Sequence, residues 1–138
     1  MIRFTLEQAN RALILIRPIM SDILYNMEKV NRLYTEIKQD RSNQYMDESD
    51  ILAKVEDAQK HITKIEHHIK ELEKIGVKVK DINLGVIDFP STINSNKNTP
   101  VSLCWKFGES GVTYWHNPEE NFRGRRPIAN STLTQNIC

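Results

Sequence analysis

Apolar residues recur at threes and fours from the start of the chain: Ala9, Ala12, Leu13, Ile16, Met20, Ile23, Met27, Val30, Tyr34 and Ile37 form one stripe, with Glu28 and Arg32 between them. That period marks an amphipathic helix. Thr5 and Gln8 have the spacing of a reciprocal cap, with Phe4 as a hydrophobic staple against Ala9, so the helix is expected from Leu6 to about Lys38. Pro18 removes one donor inside it, and because the stripe resumes in phase, a kink near residues 14–18 is expected rather than an end. After the polar residues 40–46, Asp47 and Asp50 suit a second helix start near Glu48. Ile51, Val55, Ala58, Ile62, Ile65, Ile69 and Leu72 then alternate four and three apart, the a/d seam of a coiled coil. Gly76 is placed to stop it as a left-handed cap, with Val77 touching Leu72. Two helices of about 30 residues, each roughly 45 Å long, joined by a short connection, make an antiparallel hairpin. Such a hairpin has a thin core and a first stripe wider than one partner covers, so a homodimer formed through the helices is expected.

Beyond Gly76 the pattern changes to short β-branched and aromatic runs over residues 77–79, 86–89, 101–107 and 112–116, separated by Gly, Pro and Asn. These read as strands of a three- or four-stranded antiparallel sheet, giving an α+β chain. The Asn/Ser/Thr-rich residues 91–100 read as a mobile loop. Residues 1–127 are expected to be one domain, with the hairpin over 5–75, the β region over 76–127 and a disordered tail over 128–138. A turn at Gly108-Glu109-Ser110-Gly111 that pairs Phe107 with Val112 sets Trp105 opposite Tyr114, Cys104 opposite Trp115 and Leu103 opposite His116. In that register Trp105, Tyr114 and His116 share the core face, and Cys104 and Trp115 share the other.

The 138 residues carry 19 basic and 18 acidic side chains, a formal charge of +1, so no global field attracts nucleic acid or an anionic membrane. The longest apolar run, residues 12–16, is far short of the ~20 a membrane helix needs, and no basic-then-apolar signal opens the chain, so a cytoplasmic protein is expected. Two cysteines make no disulfide framework, Cys138 is not placed for prenylation, and the sequon Asn130-Ser131-Thr132 reads as chance.

Phe4-Thr5-Leu6-Glu7, Arg17-Pro18, Gly76, Lys80-Asp81, Gly85, Asp88-Phe89-Pro90, Leu103-Cys104-Trp105, Gly108-Glu109, Trp115-His116 and Gly124-Arg125-Arg126-Pro127 together resemble the family catalogued as domain of unknown function 2203. The resemblance covers nearly all of the chain to Pro127, and its second-half motifs recur in order. It implies a small prokaryotic protein with a helical first half, and it carries no activity, cofactor or substrate. Residues 91–100 look longer than the family pattern, and the tail after Pro127 looks like an addition.

Cys104, Glu109, His116 and Asp88 are all acceptable metal-ligand types. In the expected register Glu109 and His116 lie more than about 12 Å apart, and Cys104 faces away from His116, so only His116 with Asp88 or Asp81 could share an ion. Cys104 then reads as a small buried hydrophobe. His61 and His68, seven apart with His67 beside them, read as a solvated helix flank, and Glu56/Lys60 and Glu66/Lys70 as surface pairs. No nucleophile elbow or phosphate loop occurs, so no catalytic residue and no cofactor are expected. Arg123, Arg125 and Arg126 beside Trp115 and His116 suit a bound carboxylate or phosphate, unless Asp81, Asp88, Glu119 or Glu120 neutralises them. A nucleic-acid surface would need a larger basic stripe. The expected function is a non-enzymatic oligomeric protein that holds a small acidic ligand or partner in a polar, aromatic-lined cleft. Asp88, Trp105, His116, Arg125 and Arg126 build that cleft, with Asp88 orienting His116 or an arginine and Trp105 forming the wall. The alternatives are a metal-dependent enzyme using His116 with Asp88, and a purely structural coiled-coil scaffold.

Overall fold

The computed structural model describes residues 3–92 and 99–128. Helix α1 spans Leu6–Arg41 and α2 spans Glu48–Ile75, followed by strands β1 (Lys78–Asp81), β2 (Val86–Thr92), β3 (Pro100–Lys106), β4 (Tyr114–His116) and β5 (Arg126–Pro127). Among the described residues no helix is long and apolar enough to cross a membrane. Most of the expected mobile loop (93–98), the expected disordered tail from residue 129 on, the sequon and Cys138 lie outside the described residues.

Both helix boundaries follow local chemistry. The Thr5 hydroxyl accepts from the Gln8 N–H while the Gln8 side chain accepts from the Thr5 N–H, the reciprocal cap that two otherwise orphaned donors require. Helix α1 runs on through Pro18 without ending. Gly76 closes α2 at φ 105°, and the Val77 N–H reaches the Leu72 carbonyl at 3.3 Å, as a Schellman stop requires. In the polar connection the Asp47 side chain accepts from the Ser49 N–H and opens α2.

The two helices pack together along their length, with Ile51, Ala58, Ile65 and Leu72 of α2 fully buried every seventh residue. On α1 the seam differs from the expected stripe. It passes from Ile23 to Asn26 and Leu33 instead of Met27 and Tyr34, and Tyr34 is exposed. Two successive steps of three shift the phase of a heptad seam by one residue. A polar contact accompanies the shift: the Asn26 side-chain oxygen accepts from His61 Nδ1 at 2.7 Å, and the Asn26 amide donates to the Asp22 carbonyl. His61 and His68 are therefore not a solvated flank. They form with Lys54 a row at heptad spacing along α2 that faces polar groups of α1, Lys54 on Asp40 and His68 near Asp22.

The five strands form an antiparallel meander in the order β1-β2-β3-β4-β5, one strand more than expected because β5 carries no apolar pattern. One face of the sheet, with Ile87, Phe89, Leu103 and Trp105, packs on Leu13, Ile16, Met20 and Leu72 at the base of the hairpin. Ile128 is 3% exposed and its N–H binds the Thr113 carbonyl, so this residue packs with the sheet.

Strand β4 pairs one residue away from the expected register: Ser102 lies opposite His116, Leu103 opposite Trp115 and Cys104 opposite Tyr114. The cause lies in residues 107–113, which do not close a tight hairpin. The Val112 N–H is taken by Asn10 of α1 at 2.8 Å, Arg17 donates to the Ser110 carbonyl, and Trp105 Nε1 donates to the Glu109 carbonyl. A one-residue slip turns every side chain of a strand to the opposite face. Tyr114 and His116 accordingly leave the Trp105 face and join Cys104, while Trp115 turns toward the helices.

Candidate functional site

The register brings three chemically active side chains to neighbouring positions on the outer face of the sheet. Asp88 of β2 pairs with Cys104 of β3, and His116 of β4 pairs with Ser102 two residues before Cys104. Paired residues of antiparallel strands point the same way, and so do residues two apart. All three are buried, and an Asp88 oxygen, Cys104 Sγ and a His116 nitrogen lie within 4.8 Å of one another. The expectation that Cys104 and His116 lie on opposite faces is thereby corrected.

His116 is fully enclosed and meets an acceptor at each ring nitrogen. Nδ1 lies 2.7 Å from the Asn117 carbonyl and Nε2 lies 3.0 Å from Asp88 Oδ1. With Nδ1–H donating to the carbonyl, the Nε2 contact needs one proton, carried on the imidazole or on the carboxyl. Burial raises the Asp88 pKa above the ordinary carboxylate value, and the His116 charge opposes it. Asp88 Oδ2 is buried without a hydrogen-bond partner, and Lys80 Nζ approaches it to 3.9 Å. The Cys104 thiol is pushed up to about 12 by burial and then by the Asp88 charge, with Arg125 opposing. A thiol so poised is a protonated, poor nucleophile. Accordingly, the native chain at pH 8 is expected to leave Cys104 unmodified by iodoacetamide and to react there at once in denaturant, as read by peptide mass mapping. Equal labelling in both conditions would contradict this description.

The other expected site residues scatter. Arg125 reaches the triad, its Nη1 3.9 Å from Cys104 Sγ and its guanidinium over the Tyr114 ring at 4.0 Å. Glu109 holds it in a two-pronged pair at 3.0 and 2.6 Å, and the Glu109 carboxylate also accepts from the Lys106 N–H. Arg126 lies instead over Trp115 and pairs with Glu120 at 3.2 Å, so the two arginines serve opposite faces and do not converge. Trp105 is wholly enclosed on the helix-facing side and forms no wall beside His116. Of the five expected residues, Asp88, His116 and Arg125 come together.

Three basic residues left out of the expected cleft border the same place. A cavity of about 280 Å³ is lined by Arg3, Lys78 and Lys80, with Asp88 and Ser102 among its walls. Lys78 pairs with Asp88 across β1 and β2, and Lys80 sits in the irregularity between the Val79 and Asp81 pairings. Arg3 is brought there by its bond to the Ser91 carbonyl and by the Phe4 N–H on the Pro90 carbonyl. The alternation of Lys78 and Lys80 was readable in sequence, but their convergence with Arg3 depends on contacts across the whole chain. A larger hollow of about 360 Å³ is bordered by Lys80, Asp81, Glu119 and Glu120, and Asp88 does not line it.

These features define an α+β protein in which a helical hairpin backs a small meander that carries a buried Asp–Cys–His cluster. The chain belongs to the family described as "Uncharacterized conserved protein (DUF2203)", whose model matches residues 3–128. Searches of curated proteins and of solved structures each return no match.

Proposed function

We propose that this protein binds a small acidic ligand in the cavity beside Asp88. The observation that carries the reading is the charge of the cavity. Arg3, Lys78 and Lys80 surround it, and among the described residues that line it the one carboxylate, Asp88, lies 3.0 Å from His116 Nε2. Like-signed groups around a recess concentrate counter-ions there, and about 280 Å³ sits just below the range of drug-sized pockets, which suits a small acid. Lys78 and Lys80 carry this role better than Arg125 and Arg126, because Glu109 and Glu120 already hold both guanidinium groups. Inorganic phosphate and citrate are suitable probes. At low salt either should raise the melting midpoint, and Lys78→Ala with Lys80→Ala should weaken the titrated affinity at least about tenfold, since a hydrogen bond to a charged group contributes about 1.5–3 kcal/mol. If neither anion shifts the midpoint, or the double variant binds as the parent does, the reading fails.

The hairpin supports the second half of the proposal, a homodimer through its helices in a coiled-coil arrangement. The sheet covers only the base of the hairpin, and toward the far end Tyr34 and Leu52 are 51% and 56% exposed. Light scattering on a sizing column should report a dimer that Leu52→Asp splits. A parent that elutes as a monomer at micromolar concentration would remove this part.

A further inference from the structure

We propose that Asp88, Cys104 and His116 form a binding site for a single divalent transition-metal ion of the zinc class. The inference does not depend on the acid-binding reading, although Asp88 belongs to the cluster and also borders that cavity.

Three neighbouring strands each contribute one ligand type that such ions accept: a carboxylate from β2, a thiol from β3 and an imidazole from β4. Ladder positions on a sheet fix ligands more firmly than loops do. Bond lengths of about 2.0–2.3 Å set tetrahedral ligands roughly 3.3–3.8 Å apart. On binding, the present limit of 4.8 Å has to contract to that range. The second shell is already in place. Ligating histidines characteristically donate their other N–H to a carbonyl or carboxylate, and His116 Nδ1 does so to Asn117, which leaves Nε2 for the ion.

Two further observations favour an ion over a merely structural cluster. Asp88 Oδ2 is fully buried with no hydrogen-bond partner, a costly arrangement that a coordinated cation would relieve. A thiolate and a carboxylate together cancel a charge of two, so the occupied centre is neutral, as an enclosed site requires. Two cations oppose the ion, Lys80 near Asp88 and Arg125 near Cys104, each at 3.9 Å. Arg125 is already balanced by Glu109, and the Lys80 side chain, 40% exposed, has room to swing outward. On binding, the Cys104 S–H proton and the proton of the Asp88–His116 contact pass to solvent, metal bonds to Sγ, Nε2 and the carboxylate replace that contact, and no other covalent bond changes. Three protein ligands leave one position for water or for an oxygen of an acid in the cavity that Asp88 borders.

The test uses the full chain, purified without a histidine tag, stripped with chelator and titrated with Co²⁺. One equivalent should produce a thiolate-to-cobalt band in the near ultraviolet, which an equal amount of Zn²⁺ bleaches. Cys104→Ser should abolish the band. Asp88→Asn should weaken Co²⁺ binding at least about 100-fold, the upper end of what losing an outer partner alone costs. Should Asp88→Asn fail to fold, Cys104→Ala replaces it, since a small apolar residue suits that enclosed position. Lys80→Met separates the two proposals: it should tighten Co²⁺ binding while weakening phosphate. A folded parent that shows no band overturns the metal site, as does a band that survives Cys104→Ser, which would belong to Cys138. Phosphate binding that persists in chelator keeps the acid-binding reading when the metal site fails. A cobalt band without any phosphate effect does the converse.

Discussion

Trp105→Ala is expected to lower the free energy of unfolding by about 3–5 kcal/mol, the range for removing a large aromatic side chain from an enclosed position. Trp105 is 0% exposed, lies in the cluster that joins the sheet to α1 and α2, and meets Phe107 edge to face at 6.0 Å. Its loss should also travel to the other face of the sheet. Trp105 Nε1 donates to the Glu109 carbonyl at 3.0 Å, and Glu109 in turn holds Arg125 against Cys104. Urea unfolding followed by circular dichroism gives the stability change, and the rate at which Cys104 is alkylated in the native chain gives the coupled one. Trp105→Phe keeps most of the volume and loses only the hydrogen bond, so about 1–3 kcal/mol is expected there. A fall below about 1 kcal/mol for Trp105→Ala would mean that the enclosed description of this face is wrong. An unchanged alkylation rate would show that the two faces do not communicate through Glu109.

The helices and their ends were legible because their determinants are local. Thr5 with Gln8, Asp47 with Ser49, and Gly76 with Val77 act within a few residues of each other. The α1 seam was misread after Ile23 because hydrophobicity favours Met27 over Asn26, whereas the deciding partner, His61, is 35 residues away. The same limit, at greater range, decided the site. Strand parity over residues 101–116 depends on how residues 107–113 connect, and those are held by Asn10 and Arg17, about a hundred positions earlier. Assuming a tight hairpin displaced the pairing by one residue and sent His116 away from Cys104. Glu109, weighed in sequence only as a metal ligand, proves to be the acceptor for Arg125 instead. Asp88 and His116 nonetheless meet, because β2 and β4 flank β3 and the observed register puts both side chains on the Cys104 face.

The contact between those two residues carries the other large effect. His116→Ala should destabilise the chain by about 3–5 kcal/mol at neutral pH, the range for removing one partner of a buried, hydrogen-bonded ionisable pair. Among the described residues, Lys80 at 3.9 Å is the cation that would then remain beside the Asp88 carboxylate. Part of any such loss is simply the cavity left by the ring, and pH separates the two contributions. Burial raises the Asp88 pKa above its ordinary value of 3.8, and removing His116 takes away the leading group that opposes this rise. A carboxyl whose folded pKa is raised favours the folded state while it is protonated and loses that contribution as the pH climbs through the folded value. The penalty of His116→Ala should therefore be largest near pH 7 and shrink as the pH falls toward 3.8, leaving the cavity cost alone. Asp88→Ala with His116→Ala should show no such trend and should cost much less than the sum of the single changes, with a coupling of about 0.5–3 kcal/mol. The measurements are chemical unfolding curves at several pH values in the presence of chelator, so that no bound ion contributes. A penalty equal at every pH would reduce His116 to a space-filling residue and detach it from Asp88.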